Sequence, residues 1–133
     1  MTNAQETIKE KTTLFERLGG HSGVSEIVED AVEAHMNNPV IKVRFLPYKE
    51  DPENLKKIKE HLVQFFSAGS GAQVEYHGKE MPDAHRGMNI NAEEYMAAID
   101  DIMSVLEKHN IDENSRNEVL AILWSLKGMI MAK

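Results

Sequence analysis

Two histidines, His61 and His85, are the residues of this chain best placed to do chemistry at a metal. The first lies in Leu55-Lys-Lys-Ile-Lys-Glu-His-Leu-Val-Gln-Phe-Phe66, where Leu55, Ile58, Leu62, Phe65 and Phe66 recur at helical spacing. On a helix the imidazole of His61 shares a side with Ile58 and Phe65. The second lies in Gly78-Lys-Glu-Met-Pro-Asp-Ala-His-Arg-Gly-Met88, a segment opened by Pro82 and closed by Gly87 that has room for a turn or two of helix.

An apolar wall with one imidazole, followed across a glycine-containing loop by a second imidazole, suits a flat, greasy, metal-centred group. Iron in a porphyrin fits, because an imidazole nitrogen takes the axial position that the macrocycle leaves free. A histidine on a helix is nonetheless more often a surface or satisfied core residue, and the pair does not follow the H-E-x-x-H zinc pattern. Spacing raises the porphyrin reading without settling it.

Composition narrows the field. With 133 residues the chain has room for one domain and one core. It contains no cysteine, which excludes disulfides and thiolate metal sites. The first residues carry no apolar run behind a positive end, so neither a secretion signal nor a membrane anchor is expected, and a cytoplasmic address follows by default. A formal net charge of -7 argues against nucleic acid as a general partner. The four lysines between Lys49 and Lys59 are interrupted by Glu50, Asp51 and Glu53 and read as a solvated helix face. Eight methionines offer flexible side chains that fill irregular space, around a ligand or in an ordinary core.

The elements that must position the histidines are all helical. Residues 1–11 read as a flexible extension ahead of a domain at 12–133. A short helix at Leu14-Phe-Glu-Arg-Leu18 stops at Gly19-Gly20; Ser22 is expected to cap the next, which places Val24, Ile27, Val28, Ala31, Val32 and His35 on one face. That helix ends near Asn37-Asn38-Pro39, Ile41 to Phe45 is a brief connector, and Pro47 to Asp51 a loop. Asp51 before Pro52 starts the His61 helix, which runs to about Ser67. Asn91-Ala-Glu-Glu94 resembles a capping box, with Tyr95, Ile99, Ile102, Met103 and Leu106 as the stripe behind it. Asp112 opens the last helix, with Val119, Ile122, Leu123, Leu126 and Ile130 inward. With no strand pattern and no repeat, the expectation is an all-α fold of four main helices.

The chain resembles the group I truncated hemoglobins, small globins with heme in a two-over-two helical sandwich. The resemblance runs from Thr13 nearly to the end: Leu14-Phe-Glu-Arg-Leu-Gly-Gly20, Pro39-Val-Ile and Phe45, Phe65-Phe66 followed by glycines, Tyr76-His-Gly-Lys-Glu-Met81, Ala84-His85 with Gly87-Met-Asn-Ile90, and Ala121-Ile-Leu with Lys127-Gly128. It implies heme b as cofactor and His85 as the proximal iron ligand. Phe45 then packs on the porphyrin, Ile58, His61, Leu62, Phe65 and Phe66 cover the distal face, Met81 and Met88 flank His85, and Tyr95 joins the cofactor-binding set. His61 falls where some members carry a histidine that binds the iron as sixth ligand; the alternative is a side chain turned out to a propionate or to water.

The departures from the family pattern bear on function. Ala31 and Val32 stand where members usually have a phenylalanine and a tyrosine, and Ile58 and Leu62 replace the usual distal glutamines. The hydroxyl and amide donors expected near a bound gas are therefore missing, and His35, one turn beyond Val32, is a partial substitute or a helix-end residue. The connection between Phe45 and the distal helix is longer than the pattern, so Ile58 and His61 are assigned by anchoring at His85. The last helix has no histidine for covalent heme attachment. The resemblance leaves a gas-binding heme protein first. Its competitors are a bis-histidine electron-transfer or sensor protein, a nitric oxide dioxygenase served by a reductase, and a globin fold for another flat ligand or none.

Overall fold

The structure, a computed structural model, describes residues 12–133. The expected flexible extension at residues 1–11 lies outside the described residues. Four long helices carry the fold: α2 (Gly20–Asn37), α4 (Pro52–Gly69), α6 (Ala92–Lys108) and α7 (Glu113–Ser125). Between and around them lie one-turn pieces, α1 (Leu14–Arg17), α3 (Leu46–Lys49), α5 (Met81–Ala84) and α8 (Lys127–Ile130), with a 3-10 turn at Lys42–Phe45. Among the described residues the only β-type pairing is an isolated bridge between Ile90 and Met131, so the all-α expectation holds.

Side-chain caps open three of the four long helices. Asp51 accepts the Asn54 N–H at 3.1 Å to open α4, with Pro52 as its first residue. Asn91 and Glu94 form the full capping box at α6, and Asp112 accepts the Ser115 N–H at 3.0 Å at α7. The expected Ser22 cap is corrected: α2 starts earlier, with Gly19 at the N-cap and no side-chain cap bond, and Ser22 falls inside the helix. The turn from α1 into α2 is tight enough that a Cβ on Gly23 would lie 2.2 Å from the Leu18 carbonyl oxygen. Two other boundaries change. The expected loop at Pro47 to Asp51 begins with the α3 turn, and the last helix breaks at Leu126 into α7 and α8.

The core is built on α2, whose Val24, Ile27, Val28, Ala31, Val32 and Met36 are buried against α4 on one side and α6 on the other. Tyr95, Ile99, Val105 and Leu106 of α6 and Val119 and Leu123 of α7 complete it. One layer pairs α2 with α4 and the other α6 with α7, which is the two-over-two sandwich that the resemblance implies. Two His–Asp pairs fasten the layers: His35 Nδ1 donates to Asp101 at 2.8 Å, and His109 Nε2 to Asp30 at 2.7 Å. Since positions 35 and 30 of α2 meet 101 and 109, α2 and α6 run in opposite directions. No helix among the described residues is long and apolar enough to cross a membrane.

Candidate functional site

His85 follows α5 directly, half-buried, and its Nδ1 lies 2.8 Å from the carbonyl oxygen of Met81. A carbonyl only accepts, so Nδ1 carries the hydrogen and donates it; in the neutral ring the lone pair is then on Nε2. Histidines that bind metals are oriented by a bond of this kind on the other ring nitrogen. The segment after His85 is pinned as well. The Gly87 and Asn89 N–H groups donate to the carbonyl oxygen of Lys133 at 3.0 and 3.1 Å, and the Ala132 N–H donates to that of Ile90 at 3.0 Å.

The apolar stripe on α4 divides into two faces. Leu55, Leu62, Val63 and Phe66 pack against the buried core, whereas Ile58 and Phe65, though half-buried, do not belong to that packing. His61 sits between Ile58 and Phe65 on the helix. Of the residues of α4 only Ser67 is buried, which is unusual for a helix carrying this many apolar side chains. Met81 and Met88 on either side of His85 are likewise half-buried outside the core packing. Ile58, Phe65, Met81 and Met88 are therefore apolar side chains that the core does not use.

Tyr76, in the connection between α4 and α5, packs on that second face. Its ring stands edge to face with His61 at 6.3 Å and with Phe65 at 5.3 Å, and its hydroxyl donates to the Lys79 carbonyl at 2.7 Å. Burial, with the charge of Glu80 second, pushes its phenol up from the ordinary value. The His61 ring has no hydrogen bond to another described residue. The Phe45 ring lies 5.5 Å from the His35 ring and 6.2 Å from that of Tyr48. Arg44 beside it reaches Glu94 through Nε at 2.6 Å and Nη2 at 2.9 Å; this hydrogen-bonded pair holds the Glu94 carboxyl below the usual carboxylate range.

Of the residues singled out in the sequence, His61, Phe65 and Tyr76 come together, as do Met81 and His85. Phe45, Leu62 and Phe66 pack against the edge of the core. Tyr95 lies within it, its hydroxyl donating to the Leu123 carbonyl. His35 is engaged by Asp101. Sequence reasoning did not find the Arg44–Glu94 pair, the closure by residues 131–133, or the Tyr76 contact with His61; the nearest signal was Tyr76 lying so close before Gly78, and it names no partner.

Among the described residues no three His, Asp or Glu side chains converge to hold a metal ion. A metal at His85 must bring most of its own ligands, and a porphyrin does so while covering apolar side chains with an apolar disc. The free Nε2 of His85 and the unused apolar side chains fit such a group.

A family model described as bacterial-like globin matches residues 13–132. The group 1 truncated hemoglobin GlbN of a Synechocystis species is 26% identical over 115 residues, covering 84% of this chain and 89% of that protein. The truncated hemoglobin of Tetrahymena pyriformis in its Fe(III) form superposes with a TM-score of 0.83 at 21% identity, over 92% of this chain and 100% of the other. The 2/2 hemoglobin of a Synechococcus species, whose structure is in the cyanomet state with covalently attached heme, gives a TM-score of 0.77 at 21% identity, over 87% and 94%.

Proposed function

The chain belongs to the bacterial-like globin family, whose cofactor is heme, and we propose that it binds a diatomic gas at heme iron held by Nε2 of His85, with His61 as the competing sixth ligand. The observation that carries this is the bond from His85 Nδ1 to the Met81 carbonyl, which fixes the ring and leaves the second nitrogen as a donor to metal. Ile58, Phe65, Met81 and Met88 supply the apolar contacts. Heme, when bound, would supply an iron centre that exchanges electrons and takes a small gas ligand. His85 would hold that iron, and Ile58, Phe65, Met81 and Met88 would cover the macrocycle.

Polar support on the gas side is sparse. Val32 is buried in the core, Ile58 and Leu62 are apolar, and Tyr76, Tyr95 and His35 have their donors committed to Lys79, Leu123 and Asp101. The His61 ring, which has no hydrogen bond to another described residue, is the group on this face free to change partners. This favours reversible gas binding and histidine ligation over nitric oxide dioxygenase chemistry, which benefits from a donor to stabilise developing charge. A cytoplasmic location, consistent with the cysteine-free composition, and a reductase for cycling the iron complete the proposal.

The test is the optical spectrum of the full chain loaded with hemin, wild type against His85→Ala. One tightly held, acid-acetone-extractable heme per chain, lost in the variant, is the expected result. A chain that takes up no heme, or a variant that retains it unchanged, refutes the proposal.

A further inference from the structure

The connection from α4 to α5 is docked on α4 at two points. The His77 N–H donates to Gln64 Oε1 at 3.1 Å, and the Tyr76 ring packs edge to face with Phe65 and His61. The ring has little freedom. Its hydroxyl is tied to the Lys79 carbonyl, and the backbone folds back so closely that a Cβ on Gly78 would lie 2.2 Å from Tyr76 Oη and 2.4 Å from Cζ. Tyr76 is thus a fixed surface, and the side chain resting against it, His61, has no hydrogen bond to another described residue.

An edge-to-face ring contact is weak, and its loss shifts an equilibrium by only about two- to tenfold. A weak contact of fixed geometry suits a side chain that must leave and return. If His61 moves between this place and the iron, every contact that favours the docked position counts against the ligated one, because the ratio of the two states depends only on their difference in free energy. Resting on the heme reading and on His61 as sixth ligand, we propose that Tyr76 is the docking place of His61 off the iron, and so a positioning residue that sets how much of the sixth site the histidine fills.

The experiment compares the heme-loaded full chain as wild type, Tyr76→Leu, Tyr76→Phe and Gly78→Ala, each also in a His61→Leu background. Gly78→Ala displaces the ring without altering Tyr76 or His61, which guards against a Tyr76→Leu chain that folds poorly. The readouts are the ratio of six- to five-coordinate heme in the optical spectrum and the rate of carbon monoxide binding, which His61 slows while it occupies the site. Tyr76→Leu and Gly78→Ala should each raise the His61-bound ratio about two- to tenfold, with Tyr76→Phe, which keeps the ring, within about twofold of wild type. In the His61→Leu background the same changes should leave carbon monoxide binding unmoved. A ratio unchanged or lowered in Tyr76→Leu and Gly78→Ala, absence of His61 ligation in both included, overturns the inference while leaving the heme reading intact. Equal shifts in the His61→Leu background also overturn it, since they assign the effect to the loop as a whole. Failure of every chain to take up heme removes the heme reading and this inference with it.

Discussion

The imidazole of His85 is bonded through Nδ1 to the carbonyl of Met81, one turn earlier in the chain, so the ring is turned by its own helix. The donor is local backbone, and no distant side chain is needed to hold the tautomer. Replacing His85 with Ala should therefore raise the rate of heme loss by at least about ten- to a hundredfold, since even partners of a metal-binding histidine contribute that much. Heme transfer to an acceptor protein in excess measures it. His77 is exposed and His109 is paired with Asp30, so alanine at either position should leave heme retention close to wild type. Equal losses from all three changes would remove His85 from its role.

Arg44 and Glu94 join the 3-10 turn that carries Phe45 to the first turn of α6, and Glu94 also accepts the Asn91 N–H of its capping box at 3.2 Å. The Arg44 bond, ahead of the Asn91 bond and against burial, holds the carboxyl below its ordinary value. A depressed carboxylate contributes stability that is full above its unfolded value, near ~4.3, and is lost as pH falls through the lower folded value. Glu94→Gln should cost about 1–2 kcal/mol at pH 7. In denaturation curves taken at descending pH, the gap between wild type and Glu94→Gln should narrow below about pH 4. A gap that is constant across this range would mean the pair contributes nothing through its charge.

Gly23 faces the Leu18 carbonyl with no space for a side chain, the nearest approach being backbone, which cannot swing aside. Gly23→Ala should destabilise the chain by about 1–3 kcal/mol through the shift it forces between α1 and α2. Gly69→Ala is the control, because a Cβ there meets nothing within 4 Å. Thermal unfolding of the two variants should separate them clearly.

Patterns that repeat along one helix were legible in the sequence: the buried face of α2 from Val24 to Val32, and the caps at Asp51, Asn91 and Asp112. Each depends on neighbours a few residues away, which spacing encodes. The division of the α4 stripe was not legible, because Leu62 and Phe65 are equally apolar and only the packed structure separates core from open face. The contacts of His35 with Asp101, Arg44 with Glu94 and His61 with Tyr76 join different elements, and no spacing rule specifies them. The Ser22 cap failed because Gly19 and Gly20, both at positive φ, reverse the chain straight into α2 before a side-chain cap is needed.

A bound oxygen molecule draws negative charge toward its outer atom, and a hydrogen bond to a charged group is worth ~1.5–3 kcal/mol, or about ten- to a hundredfold in release rate. With Ile58 apolar on the open face of α4, Leu62 packed against the core and Val32 buried, wild-type release should be fast, and carbon monoxide, being less polar, should be favoured over oxygen. A donor is better restored at Ile58 than at Val32: Val32 is 2% exposed, and a tyrosine there would overpack the core, whereas Ile58 is half-buried outside it. Ile58→Gln should slow oxygen release by about tenfold and change carbon monoxide release less. His61 is the competing explanation, since a ring that has left both Tyr76 and the iron can turn an N–H toward the gas. Stopped-flow release from wild type, Ile58→Gln and His61→Leu separates the two: slow release in wild type that becomes fast in His61→Leu would make the histidine the donor and overturn the apolar-pocket account.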